Sequence, residues 1–134
     1  MLNLAALGLV IASFRPLLGW SRWTMIALAA ATAIDLGLWF SDPPVTWYVG
    51  LSGILHGLVA AAAIALIRFA PRMAVTVLAI LTAKLAWEAF RGALPFTAEL
   101  SGGDVIVEAH LWGAVGGVVA ALLLTGLRRR SAPL

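Results

Sequence analysis

The feature that most constrains this chain is a series of apolar segments, too many and too long for one soluble core. They are separated by proline residues and charges and cover about residues 2–14, 23–40, 47–67, 73–90 and 105–127. All but the first approach the roughly 20 residues needed to cross a hydrocarbon core. Of the 134 residues, 63% are hydrophobic and 11% charged, a composition typical of membrane proteins. We therefore predict an all-α, polytopic transmembrane helix bundle of about five spans.

The basic residues predict how these spans are oriented. Three groups of arginines follow alternate segments: Arg15 and Arg22, Arg68 and Arg72, and Arg128 to Arg130. Alternating crossings put all three groups on one side, which the positive-inside rule makes cytoplasmic. We expect a multi-pass protein of the bacterial inner membrane, with one domain over 1–127 and a short basic cytoplasmic tail over 128–134.

The charge balance and the absence of cysteine exclude several classes of function. The formal net charge is +3, and the terminal arginines supply much of the excess. No basic face interleaved with aromatic residues exists, so nucleic acid is not an expected partner. With no cysteine in the sequence, disulfides and thiolate metal sites are excluded. No cofactor is expected, the lipid bilayer is a predicted partner, and the sequence favours no particular oligomeric state.

A serine and a histidine lie near the outer ends of two apolar segments, where polar side chains are costly and tend to be functional. Ser52 is 16 residues from Arg68, and His110 is 18 residues from Arg128. At 1.5 Å per residue these separations are about 24 Å and about 27 Å, so the two side chains lie at similar depth. Ser52 and His110 are therefore a candidate nucleophile and base. The alternative for a serine in a spanning helix is a bond to the carbonyl four residues back.

Glycine spacing predicts that the helices carrying these two residues touch. Gly53 and Gly57 form one Gly-x-x-x-Gly step, and Gly113 and Gly117 form another. Small residues at this spacing allow membrane helices to approach closely. Both steps lie beside a candidate reactive residue, so the predicted contact would bring the hydroxyl and the imidazole together.

Two strings around these residues resemble a known family. The sequences Gly-Leu-Ser-Gly-Ile-Leu-His-Gly at 50–57 and Glu-Ala-His-Leu-Trp-Gly-Ala-Val-Gly at 108–116 are similar to the rhombosortase branch of the rhomboid intramembrane serine proteases. The resemblance implies a six-helix bundle in which Ser52 is the nucleophile and His110 the base, without an acid. It also implies membrane-anchored protein substrates with a C-terminal Gly-Gly motif, a hydrophobic helix and a basic end, cleaved near the outer membrane face.

The resemblance extends to the oxyanion hole. It implies that Asn3 supplies a side-chain amide, beside the backbone N–H of Ser52 and with Gly50 and Gly53 flanking the serine; the alternative for Asn3 is a solvated residue. The histidine of the family's His-x-x-x-Asn motif would fall before Met1, and the serine helix is third here but fourth in the family. We therefore expect the natural first helix to be missing.

Four further residues near the proposed site carry open interpretations. His56 either packs on His110 and supports catalysis, or is a core histidine satisfied by a carbonyl. Two histidines without a well-placed third ligand make a weak metal site, so no metal is predicted. Lys84 and Glu88 are either a structural ion pair or a place where a polar substrate segment docks. Glu108 is two residues from His110 on a different helix face, so it is not expected to assist it.

Three functions follow from these observations. The preferred one is a rhombosortase-like serine endopeptidase with a Ser–His dyad. The second is an N-terminally truncated, inactive protein that binds transmembrane helices without cleaving them. The third is a small proton-coupled transporter, which requires His110, Glu88 and Lys84 to line one path.

Overall fold

The computed structural model describes residues 2–48, 50–95 and 105–130, and this part of the chain is all-helical, as predicted. A 3₁₀ turn, Arg15–Leu17, follows the first helix. The α-helices in the described part are α1 (Leu2–Phe14), α2 (Trp20–Trp39), α3 (Ser52–Leu66), α4 (Pro71–Arg91) and α5 (Val107–Arg130). Each overlaps one predicted apolar segment, so the order of elements agrees with the sequence pattern.

The start of α3 differs from the prediction. The third apolar segment begins at residue 47, but the helix begins at Ser52. Among the described residues before it, Trp47, Tyr48, Gly50 and Leu51 are not helical, and the Tyr48 hydroxyl accepts a hydrogen bond from Gly53 N–H at the start of α3. Gly50 permits this arrangement, since a Cβ at that position would lie 2.9 Å from the Tyr48 hydroxyl. The correction places Ser52 in the first turn of its helix, and α3 is only 15 residues long.

Small residues allow close packing in the interior of the bundle, and many large apolar side chains are exposed on its outside. Residues 60–63 are four consecutive alanines of α3, all fully buried, whereas Leu9, Phe40 and Phe90 are 68%, 80% and 86% exposed. Membrane bundles pack in this way because lipid gives no hydrophobic drive for helix association. Two stretches, Pro71–Arg91 and Val107–Thr125, are long and apolar enough to cross a membrane. That all five helices span stays a prediction.

The glycines of α3 and α5 interlock backbone against backbone. A Cβ on Gly53 would lie 2.6 Å from the carbonyl oxygen of Ala109, and one on Gly57 would lie 2.6 Å from that of Gly113. In the reverse direction, a Cβ on Gly113 would collide with the carbonyl of Gly53, and one on Gly117 with that of Gly57. No side chain fits at these positions, so the register of α3 against α5 is fixed along two helical turns.

Helix α4 is held to the bundle by a narrow stripe. Its buried residues are Ala74, Leu81 and Glu88, which are seven positions apart and therefore lie on one face. Cavities flank the stripe on both sides, with about 430 Å³ between α1, α3 and α4 and about 460 Å³ between α3, α4 and α5. The first of these cavities reaches Ser52.

Candidate active site

Ser52 lies at the first position of α3, half-buried inside the bundle. The first backbone N–H groups of a helix lack partners within the helix, and the positive end of the helix dipole is at this terminus. In α3, Leu55 N–H donates to the carbonyl of Leu51 at 3.0 Å, and Gly53 N–H donates to the Tyr48 hydroxyl at 3.4 Å. These two N–H groups are therefore already bonded, and the serine hydroxyl lies at the end of the helix whose dipole favours a negative charge.

His110 lies in the first turn of α5 and faces Ser52 across the glycine contact. The ring is 5% exposed, and its Nε2 is 3.0 Å from Ser52 Oγ. This is hydrogen-bond distance for a nucleophile and its base. The structure therefore brings together the two side chains that the sequence put at similar depth on separate helices.

A carboxylate occupies the other side of the His110 ring. Glu88, on α4, is 3% exposed, and its Oε2 is 2.9 Å from His110 Nδ1. An ionised carboxylate only accepts hydrogen bonds, so Nδ1–H must be the donor. His110 Nε2 then carries a lone pair, and the Ser52 hydroxyl donates to it. The resemblance implied a dyad without an acid, and the structure differs by placing Glu88 here.

Lys84 and Glu88 form the ion pair that one interpretation of the sequence predicted. Lys84 Nζ is 2.6 Å from Glu88 Oε1, and the two residues are one helical turn apart on α4. Lys84 is also 3.4 Å from His110 Nδ1, but this is not a hydrogen bond when Nδ1 carries the proton. The two oxygens of Glu88 therefore have different partners, one on its own helix and one on α5.

His56 makes the contacts of both interpretations left open for it, the packing on His110 and the bond to a carbonyl, while its part in catalysis stays a prediction. Its ring stacks on His110, with centroids 4.2 Å apart and planes 15° apart. Its Nδ1 is 2.6 Å from the carbonyl oxygen of Ser52, so Nδ1–H donates because a carbonyl only accepts. His56 thereby holds the face of His110 and the backbone of Ser52 at the same time.

Asn3 lines the same cavity as Ser52. This cavity, between α1, α3 and α4, also has apolar walls that include Val10, Val59 and Val77. Asn3 comes from α1 and Ser52 from α3, so both residues border one cavity. The role of Asn3 in an oxyanion hole stays a prediction.

Three of these residues carry atoms that could bind a metal ion, but the two histidine rings among them are stacked on each other. The ligand atoms of His56, Glu88 and His110 lie within 4.8 Å of one another. Zinc needs nitrogens about 2.0–2.1 Å away, whereas stacked rings direct their nitrogens along nearly parallel planes. The Nδ1 atoms of both rings are already bonded to Ser52 and Glu88. The geometry therefore fits a hydrogen-bonded network better than a metal centre.

The contact of Glu88 with His110 was missed from the sequence, although one signal for it was present. Glu88 is 16 residues from Arg72, the same separation that fixed the depth of Ser52. The depth argument applied to α4 puts the carboxylate in the layer of the serine and histidine. The hydrogen bond between the Tyr48 hydroxyl and Gly53 N–H at the start of α3 had no such signal, because it joins the helix to a residue that precedes it and is not helical.

The fold and these contacts define a helical membrane protein with a serine, a histidine and an acid joined in its interior. The Rhomboid domain model matches residues 1–127. The chain therefore belongs to the rhomboid family, a family of intramembrane serine proteases that act on membrane proteins within the bilayer. Among curated proteins and among solved structures, no match to the chain is found.

Proposed function

We propose that the chain is a rhombosortase-like serine endopeptidase with Ser52 as nucleophile and His110 as general base. The observation that carries the proposal is the 3.0 Å separation of Ser52 Oγ and His110 Nε2 within a family of intramembrane proteases. These two groups come from separate helices and are 58 residues apart in the sequence. Their contact depends on the close packing of α3 against α5 at the glycines. This packing fixes the position of one helix along the other, and with it the distance between the two side chains.

In the proposed reaction, His110 Nε2 takes the proton of the Ser52 hydroxyl as Oγ attacks a substrate carbonyl. The resulting oxyanion is stabilised by the backbone N–H of Ser52 and by the amide of Asn3. Each such donor is worth about 10²–10³ in rate. His110 then returns the proton to the leaving amine, and a water molecule hydrolyses the acyl-enzyme by the same route.

The apolar cavity beside Ser52 supports a membrane-embedded substrate. Its walls come from α1, α3 and α4, and most of the lining residues are apolar; the polar ones are Asn3, Ser52, His56 and Lys84. An apolar side chain next to the scissile bond would fill this space. We propose that the substrate is a membrane-anchored protein with a C-terminal Gly-Gly motif, a hydrophobic helix and a basic end.

A fluorophosphonate probe tests the nucleophile. We expect the probe to label the full chain in detergent micelles at Ser52, as located by mass spectrometry, because Oγ is activated by His110. Ser52→Ala should abolish labelling, and His110→Ala should reduce it to near background. Ser21→Ala is the matched control, since Ser21 is an exposed serine of α2, and it should label like the unchanged protein.

Two outcomes would contradict the proposal. Labelling that persists in Ser52→Ala would place the nucleophile elsewhere, and a folded chain that never labels would favour the helix-binding alternative. The substrate class is tested separately with a membrane reporter bearing the Gly-Gly, hydrophobic-helix and basic tail. Cleavage by the unchanged protein but not by Ser52→Ala supports it, and equal cleavage of a reporter without Gly-Gly counts against it.

A further inference from the structure

We infer that Glu88 is a positioning residue that completes the Ser52–His110 pair, by fixing the tautomer of His110 and balancing the charge that His110 acquires. The inference rests on the proposed function, and it departs from the dyad without an acid that the resemblance implies. It assigns to an acid on α4 a part in the chemistry of residues on α3 and α5.

The first argument is the direction of the hydrogen bonds. Glu88 Oε2 is 2.9 Å from His110 Nδ1, and Ser52 Oγ is 3.0 Å from His110 Nε2. The acid and the serine therefore lie on opposite nitrogens of one ring. A carboxylate at Nδ1 leaves the lone pair on Nε2, which is the tautomer needed to accept the serine proton.

The second argument is burial. Glu88 is 3% exposed, and a buried carboxylate is costly unless it is both paired and hydrogen-bonded. A pair with Lys84 alone needs one oxygen and forms equally well on the exposed face of a helix. Here the second oxygen is directed at His110. The burial of Glu88 is therefore explained by the contact with His110 rather than by the ion pair.

The third argument is charge. At rest, Lys84 and Glu88 cancel, and His110 is neutral. When His110 takes the serine proton, two cations lie within 3.4 Å of each other. Without Glu88 nothing in the described contacts of the ring would offset them, and the low-dielectric interior strengthens their repulsion. Glu88 thus stabilises the state of His110 that exists only during the reaction.

The acid nearest in sequence does not share these properties. Glu108 is two residues before His110 on the same helix, but it is exposed, and no hydrogen bond joins it to the ring among the described contacts. It therefore serves as a matched control: the same residue type, close to His110 along the chain, without the geometry.

The test combines labelling rates with the state of the two histidines. In Glu88→Gln, Lys84 can only donate, so it takes the amide oxygen and the amide NH₂ faces His110 Nδ1. This geometry reverses the tautomer of His110, and we expect fluorophosphonate labelling to fall about 10²- to 10⁴-fold. The chain has two histidines, so ¹⁵N NMR of histidine-labelled protein resolves the change, with His56 as internal reference. Glu108→Gln should label within about twofold of the unchanged protein.

A second variant separates this function from a structural one. Lys84→Met combined with Glu88→Met removes both charges, and replacing a buried ion pair by apolar residues is often neutral or stabilising. We expect this protein to fold with an unchanged melting temperature and still to label at least about 10²-fold more slowly. Labelling at the unchanged rate, or an unchanged His110 tautomer in Glu88→Gln, would overturn the inference. Loss of labelling in the unchanged protein would instead overturn the proposed function.

Discussion

At the scale of single residues, the site depends on one imidazole held from three sides. Ser52 and Glu88 contact its two nitrogens, and His56 covers one face at 4.2 Å. Each contact removes a different freedom of the ring: the hydrogen bonds fix its rotation in the plane, and the stack fixes its tilt. A ring held in this way needs no rearrangement before it accepts a proton.

Substitution of His56 should separate stacking from hydrogen bonding. His56→Phe and His56→Ala both lose the bond to the Ser52 carbonyl, but only Phe keeps an aromatic face against His110. Because an aromatic pair is worth about 0.5–1.5 kcal/mol, we expect Ala to label about two- to tenfold more slowly than Phe. Equal fluorophosphonate labelling rates in the two variants would show that the stack contributes nothing.

The sequence predicted the depth of the site residues better than their directions. Counting residues from the arginines put Ser52 and His110 in one layer, because helix rise is constant, and the same count from Arg72 would have added Glu88. Which face of α4 turns inward depends on the rotation of the helix about its own axis. The count of residues does not give this rotation, and apolar residues occur on most sides of α4. Only the buried stripe of Ala74, Leu81 and Glu88 reveals it. The structure contains the ion pair between Glu88 and Lys84 that the sequence suggested. The hydrogen bond between Glu88 and His110 was not predicted.

At the scale of helices, the contact of α3 with α5 determines the distance between the proposed nucleophile and base. The sequence predicted this contact, because Gly-x-x-x-Gly steps are a local pattern with a known packing consequence. It did not predict the start of α3 at Ser52, since residues 47–51 are as apolar as the helix that follows. Apolar character shows that a segment is in the membrane or the core, without showing that it is helical.

Gly113→Ala should disrupt the site without touching a reactive residue. The new Cβ would collide with the carbonyl of Gly53, and such overpacking costs about 1–3 kcal/mol. We expect a lower melting temperature in detergent and slower labelling of Ser52, because α5 must move away from α3. Gly8→Ala is the matched control, since a Cβ on Gly8 of α1 meets nothing within 4 Å. If Gly113→Ala had the same melting temperature as Gly8→Ala, the close contact of α3 and α5 would not be needed for the stability of the bundle.

At the scale of the whole molecule, the exposed surface and the arginines predict how the bundle sits in a membrane. Many large apolar side chains are exposed on the outside of the bundle, and the connection after α2 has no lysine or arginine between residues 41 and 46. The connection between α3 and α4 carries Arg68 and Arg72. The positive-inside rule then places the start of α3, and with it Ser52, towards the outer side.

Single cysteines test this orientation directly, because the natural sequence has none. Thr46→Cys and Arg72→Cys are both at exposed positions on opposite sides of the predicted bundle. In intact cells with a permeable outer membrane, an impermeant maleimide should label the first and not the second. Detergent should make both reactive. The reverse pattern in intact cells would invert the orientation.

The 15 residues of α3 extend about 22 Å, whereas the hydrocarbon layer is roughly 30 Å thick. If the inner end of α3 is anchored at Arg68, the serine hydroxyl sits several ångströms beneath the outer lipid headgroups. A freely diffusing polypeptide, whatever its residues, would have to leave water to arrive there. The choice of substrate would then depend first on whether a protein is inserted in the membrane and only afterwards on its amino-acid sequence.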